Sequence, residues 1–341
     1  VTQCPRLRGF KIDLFIKIYF YYIRIELNKY YCLMFNQKNS DQVFGNTFKR
    51  YSKKEIFEFI KPFKIRFKKN KIELRKYVLN KECVDLGCGN GRGTIFLFGN
   101  GAKNVECVDI SKVNLKKTKE VIKSFNKIKF IQTNYSASHN LKIKSKSKDF
   151  VWCNGVLMHT HNPSRSLSEV NRILKDGGYA YVYVYGVGGL YWNIVDIFRK
   201  NFKNTSTQNL IKILNKLGYS NRYIGEYLDD WKVQHLRKYS KRDFELSIKK
   251  NGFKIIKYMS RGLNYDTSEK KFLTKDRMYG DGDLRYLIKK NNNQIKETIL
   301  LNKTSNFIES KEVKKTTQII TKSINKIKKL EKKIAYASKV Q

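Results

Sequence analysis

The sequence predicts an α/β fold, a doubly wound and mostly parallel sheet in the Rossmann-like manner. Three observations carry that expectation. Strand and helix patterns alternate from residue 83 to residue 185, as in sheets covered by helices on both faces. The first strand ends in VDLGCGNGRGT, residues 84–94, with four glycines within seven residues. The second strand ends in Asp109, about twenty residues beyond those glycines,.

The elements follow in chain order. Residues 14–23, LFIKIYFYYI, are apolar but short, and Asp13, Lys17, Arg24 and Glu26 interrupt any longer run. A bilayer span needs about 20 apolar residues, and no small-residue cleavage site follows. Residues 1–33 are expected to be an upstream extension, disordered or lying on a membrane surface, with Met34 opening a more ordinary start. Residues 34–80 read as an N-terminal helical segment: Ile56, Phe57, Phe59 and Ile60 recur at helical spacing, and Pro62 predicts a break,.

Strands are expected at 83–86, 105–109, 128–132, 149–153 and 179–185, with helices at 91–98, 111–125 and 164–174 between them. Helix-like pieces at 191–202, 207–217 and 222–237 fill an insertion over 187–238. A helix and a strand share 240–260, and 283–290 reads as a last strand. Residues 81–290 thus form one domain. Residues 291–341 form a Lys-rich helical tail with twelve lysines against four glutamates. Its stripe of Val313, Ile320, Ile324, Ile327, Leu330 and Ile334 predicts packing on the domain or a partner helix, with a membrane-surface helix as the alternative,.

Composition narrows the classes. Hydrophobic residues make up 41% of the 341, which is globular rather than disordered. The net charge of +42 would suit a polyanion. It is spread along the chain rather than clustered, however, and Lys, Asn and Ile are common throughout, so it reads as compositional bias. Six cysteines at 4, 32, 83, 88, 107 and 153 form no CxxC pair. They read as small core residues in a reducing, cytoplasmic setting rather than disulfides or zinc ligands.

The glycine turn departs from the dinucleotide fingerprint G-x-G-x-x-G, because Arg92 stands at the sixth place counted from Gly87,. What remains is Asp85-x-Gly87-x-Gly89-x-Gly91. A carboxylate at its start is a poor neighbour for pyrophosphate and a good one for an ammonium group. S-adenosylmethionine, with an ammonium and a ribose but no phosphate, fits better. Asp109 suits ribose hydroxyls in either cofactor class, and Ser111 is placed to cap the next helix.

Four ordered motifs, VDLGCGNGRGT, VECVDIS, DFVWCNGVLMHTHNP and NRILKDGGYAYVYVYG, resemble those of class I S-adenosylmethionine-dependent methyltransferases of the small-molecule type. The resemblance covers about residues 80–186 and more loosely reaches about 290. It sets GVLMHT beside a GVL-x-H-T segment and ILKDGG beside an LKPGG turn, with Asp176 in place of the proline. It implies a seven-stranded sheet whose final strand runs antiparallel. It also implies that Asp85, Gly87, Cys88, Gly89 and Gly91 hold the methionine side of the cofactor, and that Asp109, with Ile110 beside it, holds the ribose. Asn134 falls where the family has an acid near the adenine, and Asn154 and Gly155 would line the cleft.

Methyl transfer from a sulfonium mainly needs alignment and desolvation. A base is needed only for an acceptor that must lose a proton. His159 and His161 follow the fourth strand and are the candidates, against a purely structural role before Pro163,; an HxH metal pair lacks a matching cluster. Tyr179, Tyr181, Tyr183 and Tyr185 share one strand face, with Tyr185 the substrate-contact candidate. Trp192 and Trp231 lie in the insertion, either as core anchors or as stacking platforms. No NPPY-type motif follows the fourth strand, and Cys153 lacks the proline expected of a base-attacking cysteine. The expected acceptor is therefore a small or lipid-linked molecule, such as a sugar hydroxyl, with the insertion as its cap. An RNA methyltransferase, a non-catalytic cofactor-binding module and, disfavoured by Arg92, a nicotinamide dehydrogenase are the rivals. Peripheral membrane contact is compatible with the charge, and the oligomeric state stays open.

Overall fold

The computed structural model describes residues 40–48, 50–123, 131–259, 274–291, 311, 313–322 and 325. The extension expected over 1–33 lies outside these residues. Eight strands form one sheet: β1 (Glu82–Leu86), β2 (Asn104–Asp109), β3 (Gln132–Tyr135), β4 (Lys148–Asn154), β5 (Leu174–Gly186), β6 (Lys238–Tyr239), β7 (Phe253–Tyr258) and β8 (Asp283–Lys290). The order is β3-β2-β1-β4-β5-β8-β7, with the two-residue β6 added at the end of β5. Strands β1 to β6 pair in parallel, and β8 runs antiparallel between β5 and β7. The order reverses between β1 and β4, so a ligand crevice is expected beyond Leu86 and Asn154.

The helices are α1 (Ser40–Phe48), α2 (Lys53–Lys69), α3 (Arg75–Val78), α4 (Arg92–Gly99), α5 (Lys112–Lys123), α6 (Pro163–Ile173), α7 (Gly189–Asn201), α8 (Thr207–Lys216), α9 (Asn221–Trp231), α10 (Lys241–Lys250) and α11 (Lys275–Tyr279). Alternation along β5 divides its neighbours. Tyr181 joins Trp152, Phe63 and Phe67 in a core under α2 and α4. Ala180, Val182 and Val184 join Leu167, Val170 and Phe244 in a core under α6 and α10. A third core lies among α7, α8 and α9, around Phe198, Leu214 and Trp231.

Several expectations are corrected. Helix α2 continues through Pro62. Proline costs a helix interior about 3 kcal/mol, but Ile56, Phe59, Ile60, Phe63 and Phe67 are buried on both sides of it, and their packing offsets that cost. Its start is fixed by Ser52 and Glu55, each capping the other's backbone N–H,. Phe57, counted with the apolar face, is 45% exposed. The third strand is seen at Gln132–Tyr135 rather than 128–132, in register with Glu106 to Asp109 of β2; residues 124–130 lie outside the described set.

Helix α9 stops at Trp231, not 237. There Trp231 stacks on Phe198 at 4.4 Å and Tyr227 at 4.6 Å, and the Lys232 ammonium turns back to the carbonyls of Phe202, Lys203 and Thr205. Part of the tail packs on the domain: Val313 is buried, and Asn193 of α7 donates to the Thr317 hydroxyl at 2.9 Å. The stripe residues Ile324, Ile327, Leu330 and Ile334 lie outside the described residues. Among the described residues no helix is long and apolar enough to cross a membrane.

Candidate active site

A cavity of about 680 Å³ opens beyond the ends of β1, β2, β4 and β5. On the strand side its wall is largely backbone. Gly87 and Gly89 have φ of +71° and +55°, which side-chain-bearing residues rarely adopt,. A Cβ on Gly87 would lie 2.4 Å from Val156 Cγ2, and one on Gly89 would press 3.2 Å from the Phe48 ring. The turn is tied to the next strand: Gly89 N–H donates to Asp109 Oδ2 at 3.0 Å. Asp109 Oδ1 accepts from Ser111 N–H at 2.8 Å and from Asn114 Nδ2 at 3.2 Å. The carboxylate is thereby held at the cavity edge in one orientation. Ser111 Oγ in turn accepts from Asn114 N–H at 3.4 Å, as a cap would.

Asp85 is buried at the end of β1 and accepts from the Thr94 hydroxyl at 2.8 Å. Burial pushes its carboxyl up to about 6, against the opposing hydrogen bonds from Thr94,. A buried carboxylate with hydroxyl and amide partners suits an incoming ammonium group, which would restore its charge balance.

Of the residues expected to bind cofactor, Asp85, Gly87, Cys88, Gly89, Asp109, Ile110, Asn154 and Gly155 line the cavity. Gly91 and Asn134 do not. Gly91 caps α4 at φ +83°, and a Cβ there would meet Thr118 Cγ2 at 3.1 Å, so it serves the close packing of helix on turn. Asn134 spends its amide on Glu106 Oε1 at 2.9 Å and the Lys142 carbonyl at 3.0 Å. Tyr135, Ser136, Ala137 and Ser138 line the cavity where Asn134 was expected.

The opposite wall is side chains from distant segments: Phe44 and Phe48 of α1, Tyr51, Arg92, Tyr185, Trp192, and Glu226, Asp229 and Asp230 of α9. His159 and His161, equal in the sequence, differ here. His159 is 8% exposed, and Phe44 and Tyr185 pack edge-on to its ring. Its Nδ1 donates to the His235 carbonyl at 2.9 Å, an assignment that leaves the Nε2 lone pair facing Asp229 Oδ1 at 3.5 Å,. Nε2 has no hydrogen-bond partner.

Asp229 Oδ2 accepts from the Tyr185 hydroxyl at 3.0 Å. Burial holds the Asp229 carboxyl above the usual carboxylate range, with the neighbouring His159 opposing. His161 is exposed at the rim, its ring edge-on to His235. Trp192 lines the cavity beside Tyr185 at 4.8 Å, whereas Trp231 belongs to the helical core. Cys153 is buried in β4, as a strand residue should be.

Asp229, Asp230, Arg66 and Arg285 were not singled out from the sequence. The one signal available was YLDDW, two acids among aromatics near a helix end. Among the described residues no group of His, Cys, Asp and Glu is arranged to hold a metal.

Residues 84–182 match the family described as Methyltransferase domain. The chain is 27% identical over 225 residues to an uncharacterized protein of Methanocaldococcus jannaschii, spanning 64% of this chain and 73% of that protein. It is 23% identical over 106 residues to sarcosine/dimethylglycine N-methyltransferase of Aphanothece halophytica, spanning 31% of this chain and 38% of that enzyme. Among solved structures, one chain of the Haloferax volcanii complex between the Trm112 methyltransferase activator and a methyltransferase is 14% identical, at a TM-score of 0.47 and with 73% of this chain and 97% of that chain covered. A SAM-dependent methyltransferase from Thermotoga maritima is 17% identical, at a TM-score of 0.44 and with 73% and 98% covered. The glycine turn, the anchored Asp109 and the buried Asp85 suit the cofactor that such a domain uses. The chain carries an S-adenosylmethionine-dependent methyltransferase domain, and its activity is methyl transfer from that cofactor.

Proposed function

We propose that the acceptor is a small or lipid-linked molecule held in this cavity, and that His159 and Asp229 together take a proton from its accepting atom. S-adenosylmethionine, when bound, supplies a methyl group already activated on a sulfonium. Asp85 and the turn at Gly87 to Gly89 would hold its methionine end, and Asp109 its ribose. The chain's remaining work is to orient the acceptor, exclude water and hold a proton.

One observation carries the reading: a buried imidazole, its tautomer set by the His235 carbonyl, turns a bare Nε2 toward a cavity-lining carboxylate. A group so arranged can receive a proton that Asp229 then stabilises as an ion pair. An acceptor with a hydroxyl needs that service, and a sugar is one such molecule. Phe44, Phe48 and the α7–α9 helices would form the cap that keeps water out. A second reading is an amine acceptor. Glu226, Asp229 and Asp230 beside Tyr185 and Trp192 would favour an ammonium group, and the Aphanothece halophytica relative is named as an N-methyltransferase.

The test is labelled-methyl transfer into cell extract, split into RNA, protein, lipid and small-molecule fractions. The expected label is in the lipid or small-molecule fraction. His159→Ala should lower it by about 10²–10⁴-fold with cofactor affinity intact. Label confined to RNA, with turnover collapsing as salt rises, would replace this reading by an RNA methyltransferase.

A further inference from the structure

We propose that Arg66 and Arg285 form an anion site in the acceptor half of the cavity, so that the methyl acceptor carries a carboxylate. The inference rests on the cavity being the acceptor's, and it adds the acceptor's charge.

Both arginines line the cavity and both are buried, at 7% and 4% exposure. Arg285 gives one bond, from Nη2 to Asp283 Oδ2 at 2.6 Å, while its Nε and Nη1 are buried without a partner. The Arg66 Nε is also buried without a partner. The Arg285 guanidinium lies 4.3 Å from the Tyr183 ring centroid, and the Tyr183 hydroxyl donates to Asp283 Oδ1 at 3.0 Å. Nearby, the buried Tyr181 hydroxyl has no partner either.

Guanidinium groups are always charged, and buried charges are ordinarily paired. Among the described residues Asp283 is the one carboxylate that acts on both guanidiniums, so positive charge is left in excess. A monoanion offsets it, and a carboxylate matches the fork of N–H donors.

Position assigns the site to the acceptor rather than the cofactor. Asn154, Tyr183 and Arg285 stand in one row across β4, β5 and β8. At about 4.8 Å per strand, Arg285 lies three strands, or about 14 Å, from the glycine turn after β1. The cofactor's anchors, Gly89 and Asp109, are on the other side of that turn, toward β2. The wall between is continuous, since a Cβ on Gly155 would meet the Tyr183 ring at 3.6 Å. An acceptor lying over Tyr183 therefore reaches Gly155 with one end and Arg285 with the other.

The experiment is thermal unfolding of the full chain saturated with S-adenosylhomocysteine, titrated with sodium acetate at constant ionic strength. Acetamide serves as the neutral twin. Acetate should raise the Tm saturably and acetamide should not. Arg285→Met should need at least about tenfold more acetate, while Lys254→Met, at an exposed surface lysine, should follow the wild type. Arg66→Met gives the same reading if the first variant does not fold. No saturable acetate response in the wild type would overturn the proposal. So would an equal response in Arg285→Met, which would mean an adventitious ion only. A loss of S-adenosylhomocysteine affinity in Arg285→Met with unchanged affinity for 5′-methylthioadenosine would also overturn it, by giving the arginines to the cofactor's own carboxylate. None of these readings needs turnover, so they stand apart from the assignment of the proton-taking pair.

Discussion

The two walls of the cavity are built in opposite ways. The strand-end wall is backbone, made by Gly87, Gly89 and Gly155 at positive φ and by Asp109, whose carboxylate binds the turn's own N–H. The opposite wall is side chain, with Phe44, Arg66, Tyr185, Trp192, Asp229 and Arg285 drawn from six elements spread along the chain. A cofactor shared by a whole family can be recognised by a backbone shape. An acceptor particular to one enzyme has to be recognised by side chains, which can change without disturbing the sheet.

The contrast breaks most readily at the backbone wall. Gly87→Val sets a branched side chain at φ +71°, where Val156 Cγ2 already lies 2.4 Å from the new Cβ. Cofactor affinity measured by calorimetry should fall by about a hundredfold or more, because strain and overpacking each cost about 1–3 kcal/mol. Normal affinity would remove the turn from the cofactor site.

A second substitution asks what the backbone wall costs the fold. The Asp85 carboxyl sits at about 6, against an ordinary value of 3.8. The folded state therefore favours its protonated form. Stability from that form is fully present below about 3.8 and is lost as pH rises through about 6,. Asp85→Asn should flatten this slope and make the cofactor-free protein more stable at neutral pH by up to about 3 kcal/mol, while weakening cofactor binding. Denaturant unfolding between pH 4 and pH 7, at a few intermediate points, checks it; an unchanged slope would mean that Asp85 is ionised without penalty.

The smallest expected effect is at the seam between the walls. Gly225 of α9 lies so close to the Tyr51 hydroxyl that a Cβ there would be 1.8 Å from it. Gly225→Ala should lower thermal stability by about 1–3 kcal/mol and loosen α9, with cofactor affinity held. Adding Tyr51→Phe should recover part of the loss, because it removes the nearest atom. A drop in cofactor affinity as large as the loss of stability would show that the two walls are not separable.

His159 and His161 mark the limit of what spacing reveals. Both follow β4 by a few residues, and nothing local distinguishes them. Only the fold supplies the His235 carbonyl and Asp229, each about seventy residues away in the chain,. Trp192 and Trp231 divide in the same manner, one to the cavity and one to the core. Asn134 shows the reverse: its position was legible, but Glu106 and Lys142 claim its amide.

Local pattern alone was enough to place most of the parallel strands, the glycine turn and the acid that ends β2. These depend on periodicity and on residues within one or two turns of chain, where backbone sterics dictate conformation. The continuity of α2 through Pro62, the pairing of His159 with Asp229 and the burial of Arg66 beside Arg285 were decided only by tertiary structure. Each depends on which distant side chains share a low-dielectric interior, and that is a property of packing rather than of local sequence.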